Sequence, residues 1–134
     1  MKSKMLAALG ALCLAMSAQA QSGDPSGTWL SQSGETRVRI ARCGPAYCGT
    51  ITASALAKDV NNPDAAKRER NLVGVQMISD IRPAGDGFSG QLYNIQDGKT
   101  YTGKLKLTDP KAMELSGCVM GGLICRSQTW TKVN

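Results

Sequence analysis

The chain contains no histidine, and its aromatic residues are two tryptophans, three tyrosines and one phenylalanine in 134 residues. Without imidazole there is no Ser-His or Cys-His catalytic pair and no histidine metal ligand, which removes most familiar hydrolase and zinc-enzyme sites. Charge of neither sign is abundant: 16 lysines and arginines stand against 10 aspartates and glutamates, a net +6. No Lys/Arg run interleaves with aromatics in the way that lines nucleic-acid grooves, so no nucleic-acid partner is expected. No apolar run reaches the ~20 residues that a helix needs to cross a bilayer. The length suits one domain. A hydrophobic share of 42% separates the chain from disordered sequences.

The longest apolar stretch, Met5 to Met16, follows Lys2 and Lys4 and leads to Ala18-Gln19-Ala20, a small-x-small cleavage pattern. That arrangement reads as a secretory signal peptide over residues 1–20, leaving a single mature domain over 21–134. Gly10-Ala11-Leu12 before Cys13 is not a lipoprotein signal, and no twin-arginine pair is present. The short, lysine-led signal looks bacterial, so the expected location is the periplasm, or secretion beyond it. Losing Lys2 and Lys4 lowers the net charge by two. The remaining excess allows only a mild preference for anionic partners.

Four cysteines remain: Cys43, Cys48, Cys118 and Cys125. An even count in a small exported domain reads as disulfides, with three pairings open. Local pairing is favoured because each pair brackets a turn, Gly44-Pro45 in one case and Gly121-Gly122 in the other. The expected bonds are Cys43–Cys48 and Cys118–Cys125, each worth about 2–2.5 kcal/mol by loop entropy. Neither spacing is Cys-x-x-Cys, which speaks against a redox pair or metal site.

Turn signals recur at short intervals, at Ser33-Gly34, Gly85-Asp86-Gly87, Asp97-Gly98 and Asp109-Pro110 as well as between the cysteines. The stretches between them alternate with period two. This predicts an all-β barrel or sandwich of about eight strands, near 27–32, 35–42, 47–54, 74–82, 87–95, 100–108, 112–119 and 124–132. One interruption is helical. Asn62 as N-cap, Pro63 at the first helical position and Asp64 in the first turn predict a short helix through Arg70. A calcium loop over 59–64 is rejected, because proline stands where an oxygen ligand belongs.

Face assignment divides each hairpin into an apolar and a polar side. About Asp97-Gly98, Leu92 is expected opposite Gly103 and Asn94 opposite Tyr101. Phe88, Gly90, Leu92 and Asn94 then face inward with Tyr101, Gly103, Leu105 and Leu107. About Gly121-Gly122, Met113, Leu115, Gly117 and Val119 face inward with Ile124, Arg126, Gln128 and Trp130. The cysteines fall on the outer face. Gly49, Ala53, Gly90, Gly103 and Gly117 inside leave room for a cavity or, alternatively, let the sheet coil tightly. Arg126, Gln128, Asn94 and Arg42 bring polarity inward, and a buried arginine needs an acceptor or an aromatic face.

Gly27-x-Trp29 on the first strand with Arg126 on the last resembles the lipocalin arrangement, in which a first-strand tryptophan packs under a last-strand arginine. A wider set of residues resembles the bacterial exported domain-of-unknown-function family 2147. It comprises Val38-Arg39-Ile40, Cys48-Gly49, Asp59 with Asn62-Pro63-Asp64, Leu72-x-Gly74, Ser89-Gly90-x-x-Tyr93-Asn94, Asp97-Gly98-Lys99-x-Tyr101, Gly117-Cys118 and Thr129-Trp130. Ile95 departs from it, since the family usually has proline after Tyr-Asn. The resemblance implies a small exported lipocalin-like β-barrel and supplies no activity.

The expected function is non-enzymatic binding of a small amphipathic or anionic molecule in or at the mouth of the barrel. Arg126 would pair with the ligand charge, Trp29 and Trp130 would form wall or floor, and Tyr101, Asn94 and Tyr47 would supply hydrogen bonds. The alternative is a cell-envelope interaction protein with a filled barrel. Its contact surface would be the 58–70 insertion, through Asp59, Asn62, Asp64 and Arg70. A solvent-reachable cavity of a few hundred Å3 would support ligand binding, and a filled interior would speak against it. Neither reading requires a metal or cofactor. An enzyme would need convergent carboxylates, and the face assignment yields none.

Overall fold

The structure is a computed structural model that describes residues 23–134, so the signal segment expected over 1–20 lies outside the described residues. Eight antiparallel strands close into a barrel in chain order. They are β1 (Gly27–Leu30), β2 (Thr36–Cys43), β3 (Ala46–Ser54), β4 (Gln76–Ala84), β5 (Gly87–Asn94), β6 (Lys99–Asp109), β7 (Ala112–Val119) and β8 (Ile124–Lys132). The sandwich alternative is thereby excluded. Loops 31–35, 55–75, 95–98 and 120–123 gather at one end, called upper here. The tight β2–β3, β4–β5 and β6–β7 turns lie at the other.

The expected bonds Cys43–Cys48 and Cys118–Cys125 are both formed, with Cα separations of 5.9 and 4.1 Å. Each closes a hairpin from the outward side, although Cys118 is itself buried. Cys118 and Cys125 are direct cross-strand partners, and the short separation is that of a non-hydrogen-bonded pair.

Three local expectations are corrected. Asn94 pairs with Lys99 and Leu92 with Tyr101, so the β5–β6 register is two residues from that of a two-residue Asp97-Gly98 turn. The cause is Ile95, which is buried in the core cluster and draws four residues into the loop. Asn94 accepts from the Gln96 backbone there at 2.7 Å. A two-residue shift preserves the faces, so Phe88, Leu92 and Leu105 are still inside. Ala53 is exposed, because a bulge between Arg37 and Val38 reverses the parity at the end of β3. The short helix reduces to one 3-10 turn, Ala65–Lys67, capped by Asp64 and not by Asn62. Asn62 and Asp64 each accept a backbone N–H two residues on, and successive turns of this kind compete with helix propagation.

The interior is filled. Trp29, Trp130, Ile40, Ile51, Ile78, Ile81, Leu105 and Met113 are almost wholly buried. Small residues leave no hollow. A Cβ on Gly49 would lie 2.8 Å from Val38 Cγ1, and one on Gly90 would lie 2.5 Å from the Ser79 carbonyl oxygen. Gly90 thus allows β4 to press its bulge, with Asp80 at φ +52°, against β5. Below the barrel the Trp29 indole N–H donates to the Pro25 carbonyl at 2.9 Å, with Pro25 fully buried.

The barrel wall is uneven. β1 is four residues long and meets β8 only at Trp29–Lys132 and Leu30–Thr131. From Ile124 to Thr129, β8 has no strand on that side, and the Thr129 N–H is instead capped by the Gln32 side chain at 2.8 Å.

Candidate functional site

At the upper end the β7–β8 hairpin rises past β1, and its inward face stays open to solvent. Ile124, Arg126 and Gln128 point inward by register, opposite Val119, Gly117 and Leu115, yet all three are exposed. Val119, Met120, Leu123 and Ile124 form an apolar tip, with Leu123 85% exposed. Gly117 separates Arg126 from β6, and the Tyr101 ring lies within 4 Å of the Cβ that Gly117 lacks. This is the mouth: an apolar tip, then a guanidinium, then a phenol and an amide.

The mouth's electrostatics follow from these contacts. Tyr101 donates a short hydrogen bond to Asp97. That bond raises the Tyr101 pKa, while the nearby Arg126 charge opposes the rise. Partial burial disfavours the Asp97 carboxylate, but hydrogen bonds from Tyr101 and the Lys99 backbone outweigh it and hold the acid below its ordinary value. Arg126 makes no side-chain hydrogen bond or ion pair among the described residues. Its charge is therefore available, and it does not stack on Trp29 as the lipocalin arrangement suggested. Register places it against Gly117, far along β8 from Lys132, the partner of Trp29.

The expected site residues separate into groups. Arg126, Tyr101 and Asn94 do share the upper end. Trp29 and Trp130 are core, 0% and 2% exposed. The indole of Trp130 donates to Gln128 at 2.9 Å, which anchors that amide at the edge of the mouth. Tyr47 belongs to the lower end, edge-on to Phe88 at 5.9 Å and under the Arg42 guanidinium at 4.9 Å. Arg42 keeps the inward parity of Val38 and Ile40 but is exposed at that rim and not buried. The apolar tip was missed as a site element. Met120 and Leu123 flanking Gly121-Gly122 were the available signal.

The 58–70 insertion contains a different centre. Asp59 is fully buried. Its Oδ1 accepts from the Tyr93 hydroxyl at 2.7 Å, and its Oδ2 accepts from Asn62 Nδ2 at 2.8 Å and Arg70 Nε at 2.9 Å. Burial opposes ionisation of Asp59, but these three donors and the Arg70 charge hold its pKa below the ordinary value. Burial and then the bond to Asp59 push Tyr93 up to about 12. Asp59 and Asn62 are therefore internal ties and cannot form a contact surface, while Asp64 and Arg70 remain accessible. Leu72 and Ile95 enter the core cluster from the two loops at this end, and Asn61 Nδ2 donates to the Ile95 carbonyl at 3.0 Å. The insertion thus covers the β3–β5 side of the upper end and leaves the β7–β8 side bare.

Two clefts open on the outer wall. One, of about 320 Å3, lies between the insertion and β4–β6. The other, of about 150 Å3, lies beside Lys104, Lys106 and Glu114. No group of three metal-ligating side chains occurs among the described residues. No helix among them is long and apolar enough to cross a membrane.

A closed eight-stranded antiparallel barrel with one end plugged and one partly open is a lipocalin-like architecture. The structure of HP1028 from Helicobacter pylori, described as belonging to the lipocalin family, superposes with a TM-score of 0.73 at 22% identity, over 83% of this chain and 84% of that one. The two share the fold. The chain belongs to the family described as an uncharacterized protein conserved in bacteria, DUF2147, whose model matches residues 27–132. No curated protein matches the chain.

Proposed function

We propose that the protein is an exported, non-enzymatic binding module that takes a small amphipathic anion at the mouth of its barrel. The observation that carries this reading is the exposed inward face of β8. Arg126 stands there without a carboxylate partner beside the apolar tip of Val119, Leu123 and Ile124. The ligand's anionic head would meet Arg126, with Tyr101 and Gln128 alongside, and its short tail would lie on the tip. Because the interior is packed, the ligand sits at the mouth and not inside the barrel. The two disulfides fit an oxidising compartment such as the periplasm.

The test is methyl NMR of the mature protein titrated with dodecanoate and dodecanol below their aggregation limits. Saturable shifts at Val119, Leu123 and Ile124 are expected with dodecanoate. Affinity should fall at least ~10-fold in Arg126→Ala, the scale of a lost charge-assisted bond. Equal binding of dodecanol would remove the anionic part of the reading, and no saturable shift with either would overturn it.

The filled interior favours a second reading, an envelope protein acting through its surface. The contact segment would be the exposed part of the 58–70 insertion, Asp64, Lys67, Arg68 and Arg70. Photo-crosslinking from position 64 or 67 in intact cells tests it: one reproducible envelope adduct supports the surface role, and its absence from both positions counts against it.

A further inference from the structure

The larger outer cleft is separate from the mouth and lies on the opposite side of the wall. Register fixes this. Ile78 and Leu92 face the core, so Ser79, Gln91 and Tyr93 face outward, as does Thr100 beside the inward Tyr101, while Met77, at the β3–β4 register shift, belongs to the core cluster and shows an edge to the cleft. The insertion roofs these residues with Asn62, Pro63, Lys67 and Arg70, leaving about 320 Å3 open to solvent. A volume near 300 Å3 is the lower range of small-molecule sites.

Three features give the cleft a chemical bias. Two cations, Lys67 and Arg70, line it, and no carboxylate does. The side chains of Lys67, Gln76, Ser79, Gln91 and Thr100 have no hydrogen-bond partner among the described residues, so amides, hydroxyls and an ammonium converge unused. The frame beneath is tied together: buried Asp59 binds Asn62, Arg70 and Tyr93, all three of which line the cleft. Arg70 gives only Nε to Asp59, which leaves both Nη amines available. Packing on the roof is close as well, since a Cβ on Gly98 would collide with the Asn61 carbonyl.

We propose that this cleft is a binding site for a small, hydroxyl-rich carboxylate of the sugar-acid class. Lys67 and the Arg70 Nη amines take the carboxylate. Gln91, Gln76, Ser79 and Thr100 take the hydroxyls, which suit amide and hydroxyl partners better than a bare anion does. The apolar content is limited to Met77, Pro63 and the Tyr93 ring, enough to lie against the face of a sugar and too little for an alkyl chain.

Amide NMR titration of the mature protein with D-glucuronate, D-glucose, acetate and inorganic phosphate tests the proposal. Glucuronate should give saturable shifts at Gln91, Gly98 and Thr100, with glucose and acetate each at least ~10-fold weaker. Lys67→Ala and Gln91→Ala, both at exposed positions that leave the Asp59 ties intact, should each weaken glucuronate about 10-fold. Absence of saturable shifts, affinity unchanged in both variants, or acetate or phosphate binding as tightly as glucuronate would each overturn it.

Discussion

The upper end of this barrel has two sides built on opposite terms. Over β3–β5 a long insertion folds back, buries Leu72 and Asp59, and leaves no buried side-chain nitrogen or oxygen without a partner among the described residues. Over β7–β8 nothing folds back, and residues whose register points them into the barrel meet water instead. The same end is therefore plugged by apolar side chains and a tied carboxylate on one side, and open on the other because β1 stops at Leu30. Burial on the first side supports the fold. Exposure on the second is what leaves an arginine and an apolar tip free to bind.

The sharpest way to break this contrast is to remove Asp59. Asp59→Ala strands the Tyr93 hydroxyl, the Asn62 amide and Arg70, and is expected to cost about 3 kcal/mol. That is the low end for breaking a buried ion pair, because Arg70 is 39% exposed. Urea unfolding monitored by circular dichroism measures it. A cost under ~1 kcal/mol would mean that the insertion does not depend on its buried centre.

Why these two sides differed in legibility is a matter of range. Strand limits and both disulfides followed from turn residues and alternation, which are local. Asn62-Pro63-Asp64 is local too, but Asn62 donates to Asp59, which is itself held by the sequence-distant Tyr93, so a helix start became a hydrogen-bonded knot. The inward parity of Arg126 was correct and its burial was not. Parity is set by β8 itself, whereas burial depends on how far β1 extends, and Ser31 and Ser33 after a four-residue strand were weak notice of that. The small interior residues misled in the same way, since a missing Cβ reads equally as a cavity or as a close approach until the neighbouring wall is placed.

The hairpin on the open side still needs its bond. Replacing Cys118 and Cys125 by serine should lower stability by about 2.5 kcal/mol, and replacing Cys43 and Cys48 by about 2 kcal/mol, from the entropy of their short loops. A much smaller loss at 118–125, read from chemical unfolding of each double variant, would show that the bare hairpin frays independently of the barrel.

pH probes the covered side from both directions. Asp59 has a depressed pKa when folded, so its contribution is complete above the unfolded carboxylate value near 3.9 and is lost as pH falls through the folded one. Tyr93 is raised to about 12, so its contribution is complete below about 10 and is lost as pH rises from there to about 12. On the alkaline side the loss should be on the order of 2 kcal/mol. Tyr93→Phe should flatten that limb relative to wild type, with stability measured by urea unfolding between pH 9 and 12. An unchanged alkaline slope in the variant would detach Tyr93 from Asp59.

The smallest expected effect is the most informative about the open side. Arg126 has no bonded partner among the described residues and is exposed, so Arg126→Ala should change stability by less than about 0.5 kcal/mol. If it instead destabilises strongly, the guanidinium is a structural element and the mouth is not a prepared site. Near-neutral stability together with loss of dodecanoate binding would separate the two roles that Asp59 and Arg126 represent. A buried charge with three partners is costly to lose and unavailable to a ligand, whereas an exposed charge with none contributes nothing to the fold and is free to bind.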